Sequence, residues 1–112
     1  MTPFTERVIQ IIKDIPYGKV MTYGQIAANA GSKRAARQVV RILHSMSEKY
    51  YLPWHRVINA QGKIGIQSEE GFWEQRTRLE SEGVKVDNQG KISLERYQWF
   101  PGKETEEDIY EI

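Results

Sequence analysis

Apolar residues recur at three- and four-residue spacing from Phe4 through Val8, Ile11 and Ile12 to Ile15, the rhythm of a helix that buries one stripe. Thr2 ahead of Pro3 supplies an N-cap and a first-turn proline, so a helix is expected from Pro3 to about Asp14. Pro16-Tyr17-Gly18 breaks it and reads as a turn. A short second helix is predicted from Tyr23 to about Ala30, capped by Thr22, with Ile26 and Ala27 inward and Gly31 suited to the left-handed position after its end. Ser32 then caps a predicted third helix over residues 33–46, burying Val39, Val40, Leu43 and Met46. Two helices joined by so short a turn, with a glycine in it, suggest a helix-turn-helix. The second would be the recognition helix, with Lys33, Arg34, Ala35, Ala36 and Arg37 in its first turns, where such motifs meet DNA.

Beyond residue 47 the pattern changes. Residues 48–52 read as an irregular connector ended by Pro53. Residues 55–58 and 63–66 read as short strands about a turn at residues 59–62, and residues 84–86 and 91–94 as a second pair about Asp87-Asn88-Gln89-Gly90. Between them, after a polar loop at 67–71, a fourth helix is predicted over residues 72–82. Phe72, Trp73, Arg76 and Leu79 lie at packing intervals along it, and Gly83 follows its end. Trp99, Phe100 and Pro101 are expected to pack back on the body. The expected fold is mostly α with short β hairpins, as one domain over residues 1–102 and a flexible acidic tail over 103–112.

Composition narrows the chemistry. The 112 residues include no cysteine, which excludes disulfides, thiolate metal ligands and thiol nucleophiles. The two histidines, His44 and His55, are too few for an ordinary structural zinc site, and neither metal nor cofactor is expected. No apolar run approaches about 18 residues and no signal peptide pattern opens the chain, so a soluble, cytoplasmic protein without a membrane partner is expected. The net charge of +1 is unevenly spread: Glu104, Glu106, Glu107, Asp108 and Glu111 crowd the tail, and residues 1–102 hold 15 basic against 10 acidic side chains. Between residues 15 and 47 stand Lys19, Lys33, Arg34, Arg37 and Arg41 with no carboxylate. Such a stretch suits a polyanion, because phosphate contacts supply most non-specific affinity for nucleic acid; a solvated helix face has the same composition.

Three segments then stand out together: Tyr23-Gly24-Gln25-Ile26-Ala27, Ala35-Ala36-Arg37-Gln38-Val39, and Pro53-Trp54-His55-Arg56-Val57-Ile58, with Glu82-Gly83 following. In this order and at these spacings they resemble the DNA-binding, active-site domain of O6-alkylguanine-DNA alkyltransferases, from about Phe4 to Leu94. Within that family the position of Trp54 is normally cysteine. Tryptophan there resembles the alkyltransferase-like proteins, a non-repairing branch of the same fold.

The resemblance implies a winged-helix-like helix-turn-helix domain of the alkyltransferase C-terminal type, acting as a monomer on double-stranded DNA that contains O6-alkylguanine. It implies that the damaged nucleotide is turned out of the duplex into a pocket lined by Tyr23, Trp54, His55, Arg56, Val57 and Ile58. Arg37 would fill the vacated space in the base stack, and Tyr23 would crowd the neighbouring phosphate. Lys33, Arg34, Ala35 and Ala36 would complete the DNA contact, with the alanines allowing close approach in the minor groove. His55 and Glu82 match residues that activate the family's cysteine; with nothing to activate, they would support the pocket. By analogy the bound lesion would be shielded or flagged for nucleotide excision repair proteins. Residues 45–52 lack the Asn-Pro of many active members, and residues 67–71 depart from their Tyr-Ser-Gly-Gly loop.

Trp54 decides the chemistry. Taking an alkyl group from guanine O6 needs a soft nucleophile such as an activated thiolate, whereas an indole ring offers an apolar surface worth about 1–3 kcal/mol per stacked base. Hydrolysis through His55 would need a serine and a carboxylate that the sequence does not place around it, and a generic helix-turn-helix regulator would prefer undamaged DNA. After incubation with DNA labelled in its O6-methyl group, the label is expected to stay on the DNA; labelled protein or released methanol would refute the non-enzymatic reading.

Overall fold

The computed structural model describes residues 1–102; the expected acidic tail over 103–112 lies outside the described residues. Helix α1 spans Pro3–Asp14, with the Thr2 hydroxyl accepting from the Thr5 N–H. Strand β1, Met21–Thr22, leads into α2, Tyr23–Asn29, whose start is held by a full capping box. Thr22 Oγ1 accepts from the Gln25 N–H, and the Gln25 side chain accepts from the Thr22 N–H. Helix α3 is Ala36–Tyr50, a 3-10 turn follows at Trp54–Arg56, and β2 is Val57–Ile58. Helices α4, Glu69–Ser81, and α5, Leu94–Tyr97, complete the order.

The third helix is displaced toward the C-terminus of its expected span. The Ala35 N–H bonds the Ser32 carbonyl at 3.0 Å and the Ser32 N–H bonds the Ala27 carbonyl, so residues 32–35 form a turn that carries Lys33, Arg34 and Ala35 outside the helix. Ala35 precedes α3 without a side-chain cap. At the other end the helix absorbs most of the expected connector. It stops at Tyr51, which is left-handed at φ 53°, a conformation costing a non-glycine about 1–2 kcal/mol. The Leu52 N–H returns to the Ser47 carbonyl at 2.9 Å, and Leu52 is buried beneath it.

The expected hairpins survive only as turns. Residues 54–56 wind into a 3-10 turn, and β2 pairs in parallel with β1, Met21 opposite Val57 and Thr22 opposite Ile58. Asn59 and Asp87 each fold back in the same way, their Oδ1 atoms accepting N–H groups two and four residues on. The two turns then bond to each other: Ile64 N–H to the Gly90 carbonyl at 3.0 Å, and Ile92 N–H to the Gly62 carbonyl at 2.8 Å. Helix α4 begins earlier than expected, at a Ser68 cap, and turns Gln75 and Leu79 inward, leaving Trp73 52% exposed. Trp99 packs on the core, whereas Phe100 remains 45% exposed.

The described residues form two cores. One gathers α1, α2 and α3 around Val8, Ile12, Ile26 and Val39, with Met21 and Val57; the other gathers Val20, Ile58, Leu79, Val84 and Ile92. The paired strands run between them, because successive strand residues face opposite ways. The 3-10 turn therefore sits where the two cores join. Among the described residues, no helix is long and apolar enough to cross a membrane.

Gly62 tests the interlocked turns. It has φ +78°, and an added Cβ would lie 2.9 Å from the Ile92 carbonyl oxygen. Gly62→Ala is expected to lower stability by about 1–3 kcal/mol, measured by denaturant unfolding; an unchanged midpoint would show that the turns do not hold this end of the domain.

Candidate functional site

The parallel strand pair places Tyr23, at the first turn of α2, beside the segment that carries Trp54 and Val57. A cavity of about 100 Å³ opens there, lined by Tyr23, Trp54, Val57 and Gln75 with Val40, Leu43, His44 and Ile66. It adjoins a second depression that shares Tyr23, Val40, His44 and Ile66 and extends over Asn59, Gly65 and Gln67. Trp54 also borders a groove beyond the cavity, floored by the end of α3 and by Arg78. The Arg78 guanidinium lies over the indole, 5.4 Å from its centroid, and His55 meets the same ring edge-on at 6.3 Å.

On α3 the residues at helical spacing lead outward from this cavity. Val40 and His44 line it; Arg37 and Arg41, on neighbouring positions of the same helix, are exposed. Lys33 and Arg34, in the turn before α3, are exposed as well, while Ala35 and Ala36 are half-buried. None of these four cations has a carboxylate partner among the described residues. They form a positive face that ends at the cavity's rim.

Below the cavity lies a carboxylate clamp. Glu82, at the C-terminal cap of α4, accepts from Arg56 through both oxygens at 2.8–3.2 Å and from the Gly18 N–H at 2.8 Å. Its Oε2 stands 2.6 Å from His55 Nε2. Arg56 also donates from Nη1 to the Ile15 carbonyl at 2.8 Å. Burial pushes the Glu82 carboxyl up, but bonds from Arg56, Gly18 and His55 outweigh it and hold its pKa at about 2. His55 is shifted below its ordinary value, first by burial and against the pull of Glu82, so its ring is neutral at pH 7. With Nε2 donating to the carboxylate, Nδ1 is an acceptor, enclosed and without a partner among the described residues. Burial raises the Tyr23 phenol, which stays a neutral hydroxyl.

The expected pocket residues therefore separate. Tyr23, Trp54 and Val57 line the cavity. His55 and Arg56 are turned beneath it onto Glu82, because their charge and hydrogen-bonding groups find a buried carboxylate there. Ile58, at 0% exposure, belongs to the second core because strand alternation points it away from Val57. The sequence reading missed Val40, Leu43, His44, Ile66 and Gln75. Val40 and Leu43 have the spacing of core residues, and only the cavity distinguishes a wall from a core. No group of three potential metal ligands occurs among the described residues.

Residues 3–84 match the family described as 6-O-methylguanine DNA methyltransferase, DNA binding domain. The chain is 39% identical over 106 residues to alkyltransferase-like protein 1 of Schizosaccharomyces pombe, covering 90% of this chain and 98% of that one. It belongs to the alkyltransferase-like proteins. The DNA base-flipping protein of Escherichia coli is 48% identical over 96 residues, 86% of this chain and 74% of that protein. The crystal structure of S. pombe Atl1 in complex with damaged DNA containing O6-carboxymethylguanine superposes with a TM-score of 0.80, at 39% identity, over 90% of this chain and 98% of Atl1. The methylated-DNA–protein-cysteine methyltransferase of Rattus norvegicus is 35% identical over 82 residues, 72% of this chain and 39% of that protein. This alkyltransferase-like protein has no cysteine anywhere, so it has no thiol to accept an alkyl group. The His55–Glu82 pair lies under the cavity in a chain without a thiol.

The clamp makes stability pH-dependent. Folded Glu82 binds a proton more weakly than unfolded Glu82, so its contribution is complete above about 4.5 and is lost as pH falls toward about 2. His55 acts in the same sense, beginning below 6.5. Denaturant midpoints are expected to fall in acid, and in Glu82→Gln the acid step is expected to shrink. Equal losses in both proteins would remove Glu82 as its source.

Proposed function

We propose that this protein binds O6-alkylguanine in double-stranded DNA, holds the extruded nucleotide in the cavity beside Trp54, and leaves the alkyl group in place. The observation that carries this reading is the apolar cavity walled by Trp54 and Tyr23 at the end of a cationic face on the helix-turn-helix that has no carboxylate partner among the described residues. Support comes from the Atl1 relative, whose structure contains O6-carboxymethylguanine DNA, and from the E. coli relative, named for base flipping.

Each group has a physical part. Lys33 and Arg34 meet phosphates from the turn before α3. Ala35 and Ala36 keep that turn slim against a groove wall. Arg37 fills the space the nucleotide leaves, and Tyr23 presses on the adjacent phosphate; extrusion costs less for a weakly paired lesion. Trp54 and Val57 give the base an apolar seat. His55, Arg56 and Glu82 brace the 53–57 segment from below, which moves Arg56 from the pocket wall to its support. The DNA-binding domain is residues 1–102, with 103–112 as an acidic extension. Shielding the lesion and presenting it to excision repair proteins is the downstream role consistent with binding that performs no repair.

Titration of matched duplexes with guanine or O6-methylguanine is expected to show tighter binding to the lesion; equal affinities would favour a generic DNA-binding regulator. Arg37→Ala is expected to remove most of that preference. Lys33→Ala is expected to weaken both duplexes alike and reduce the salt slope by about 1. A lesion preference that survives Arg37→Ala intact would remove Arg37 from the extrusion step.

A further inference from the structure

Lys33, Arg34, Arg37 and Arg41 are exposed and have no carboxylate partner among the described residues. The chain carries the complementary charge elsewhere: residues 103–112 hold Glu104, Glu106, Glu107, Asp108 and Glu111 against Lys103 alone. The described residues show where that segment departs. The Trp99 N–H bonds the Val20 carbonyl, the Gln25 amide donates to the Trp99 carbonyl, and the Gln98 amide donates to Gln25 Oε1. Residues 98 and 99 are therefore pinned against the start of α2. That helix has seven residues, a rise of about 10 Å, and the turn bearing Lys33 and Arg34 follows its end. Ten extended residues span up to about 35 Å, enough to pass the turn and run along α3. Another cationic cluster, Lys85, Lys91 and Arg96, shares its depression with Glu80 and Asp87, which offset much of its charge. The α3 face has no such neutralisation.

We propose that the cationic face of α3 and its preceding turn is also the docking surface for residues 103–112, whose carboxylates take the places of DNA phosphates. The inference rests on the reading of this face as the DNA surface and adds its occupant in the DNA-free protein. Each exposed ion pair is weak and screened by salt, but tethering holds the acidic segment at a high effective concentration. DNA, with its denser line of charge, displaces it. The competition lowers affinity for all DNA by one factor. Undamaged duplex is then held poorly, while a lesion complex with added cavity contacts still forms. When the segment is displaced, salt cations return to its carboxylates and offset part of the counterion release from DNA, so the salt dependence is shallower.

The experiment uses the full chain, as wild type and as one variant carrying Glu104→Gln, Glu106→Gln, Glu107→Gln, Asp108→Asn and Glu111→Gln. Duplexes with guanine or O6-methylguanine are titrated from about 50 to 300 mM salt. At the lowest salt the variant is expected to bind both duplexes about tenfold more tightly, with a steeper salt slope. The two proteins are expected to converge at the highest salt. Without DNA, backbone amide resonances of residues 32–41 are expected to differ between the two proteins, independently of protein concentration. Equal affinities at low salt overturn the inference. So do resonance differences confined to Lys85, Lys91 and Arg96, or differences that grow with protein concentration and mark another copy's segment. Tighter binding with no differences on α3 also overturns it, because repulsion without docking then suffices. Equal wild-type affinity for the two duplexes instead overturns the lesion-binding reading, and leaves the effect of the acidic segment on both duplexes measurable.

Discussion

The Glu82 carboxylate holds together chain segments that no local preference would bring near one another. It receives the Arg56 guanidinium, the His55 ring and the Gly18 N–H, and Arg56 carries the connection to the Ile15 carbonyl at the end of α1. One anion thus ties the first helix, the turn after it, the 3-10 turn and the end of α4. Each partner is charged or well placed to donate, which is how a side chain only 6% exposed keeps its charge. Removing one partner would leave the others buried and uncompensated, so the clamp acts as a unit.

The clamp sets the posture of the cavity. Holding His55 and Arg56 inward presents their neighbours Trp54 and Val57 to the other side, and the pairing of Met21 with Val57 brings Tyr23 alongside. Gln75 bonds the carbonyls on either side of Arg56, so the same short segment is gripped from below by a carboxylate and from α4 by an amide. This preorganisation spares the cost of ordering the pocket when a ligand arrives. It resembles the support an enzyme gives its nucleophile, in a chain where Trp54 provides surface in place of chemistry.

Function is divided along the same lines. On the proposed reading, affinity for a polyanion would reside in Lys33, Arg34, Arg37 and Arg41, on the exposed turn and helix face, where screening by salt is strong. On the same reading, discrimination would reside at the cavity, whose lining includes Val40, Leu43, Val57 and Ile66 and where an unpaired polar atom costs more. Val40 and His44 on α3 link the two regions: the helix that bears the cations also forms the wall.

Much of this was legible in the sequence because it is local. Thr2-Pro3 and Thr22 start helices, glycines 31 and 83 follow helix ends, and the spacing of Val8, Ile12, Val39 and Leu43 marks buried faces; each depends on neighbours within a turn or two. The absence of cysteine settled the missing alkyl acceptor without any geometry. Tertiary structure decided the rest. Ser32 serves a turn instead of capping a helix because its backbone is claimed by Ala27 and Ala35. Residues 55–58 form no hairpin because Val57 and Ile58 pair with a strand 36 positions earlier. Arg56 and Ile58 leave the pocket, and Gln75 enters it, because burial, strand alternation and a remote carboxylate fix where side chains point. In Pro53-Trp54-His55-Arg56-Val57 the residue types alone determined what chemistry was absent. Only long-range contacts decided which of those side chains face the cavity, since a linear chain does not encode the direction of a side chain whose partners are dozens of residues away.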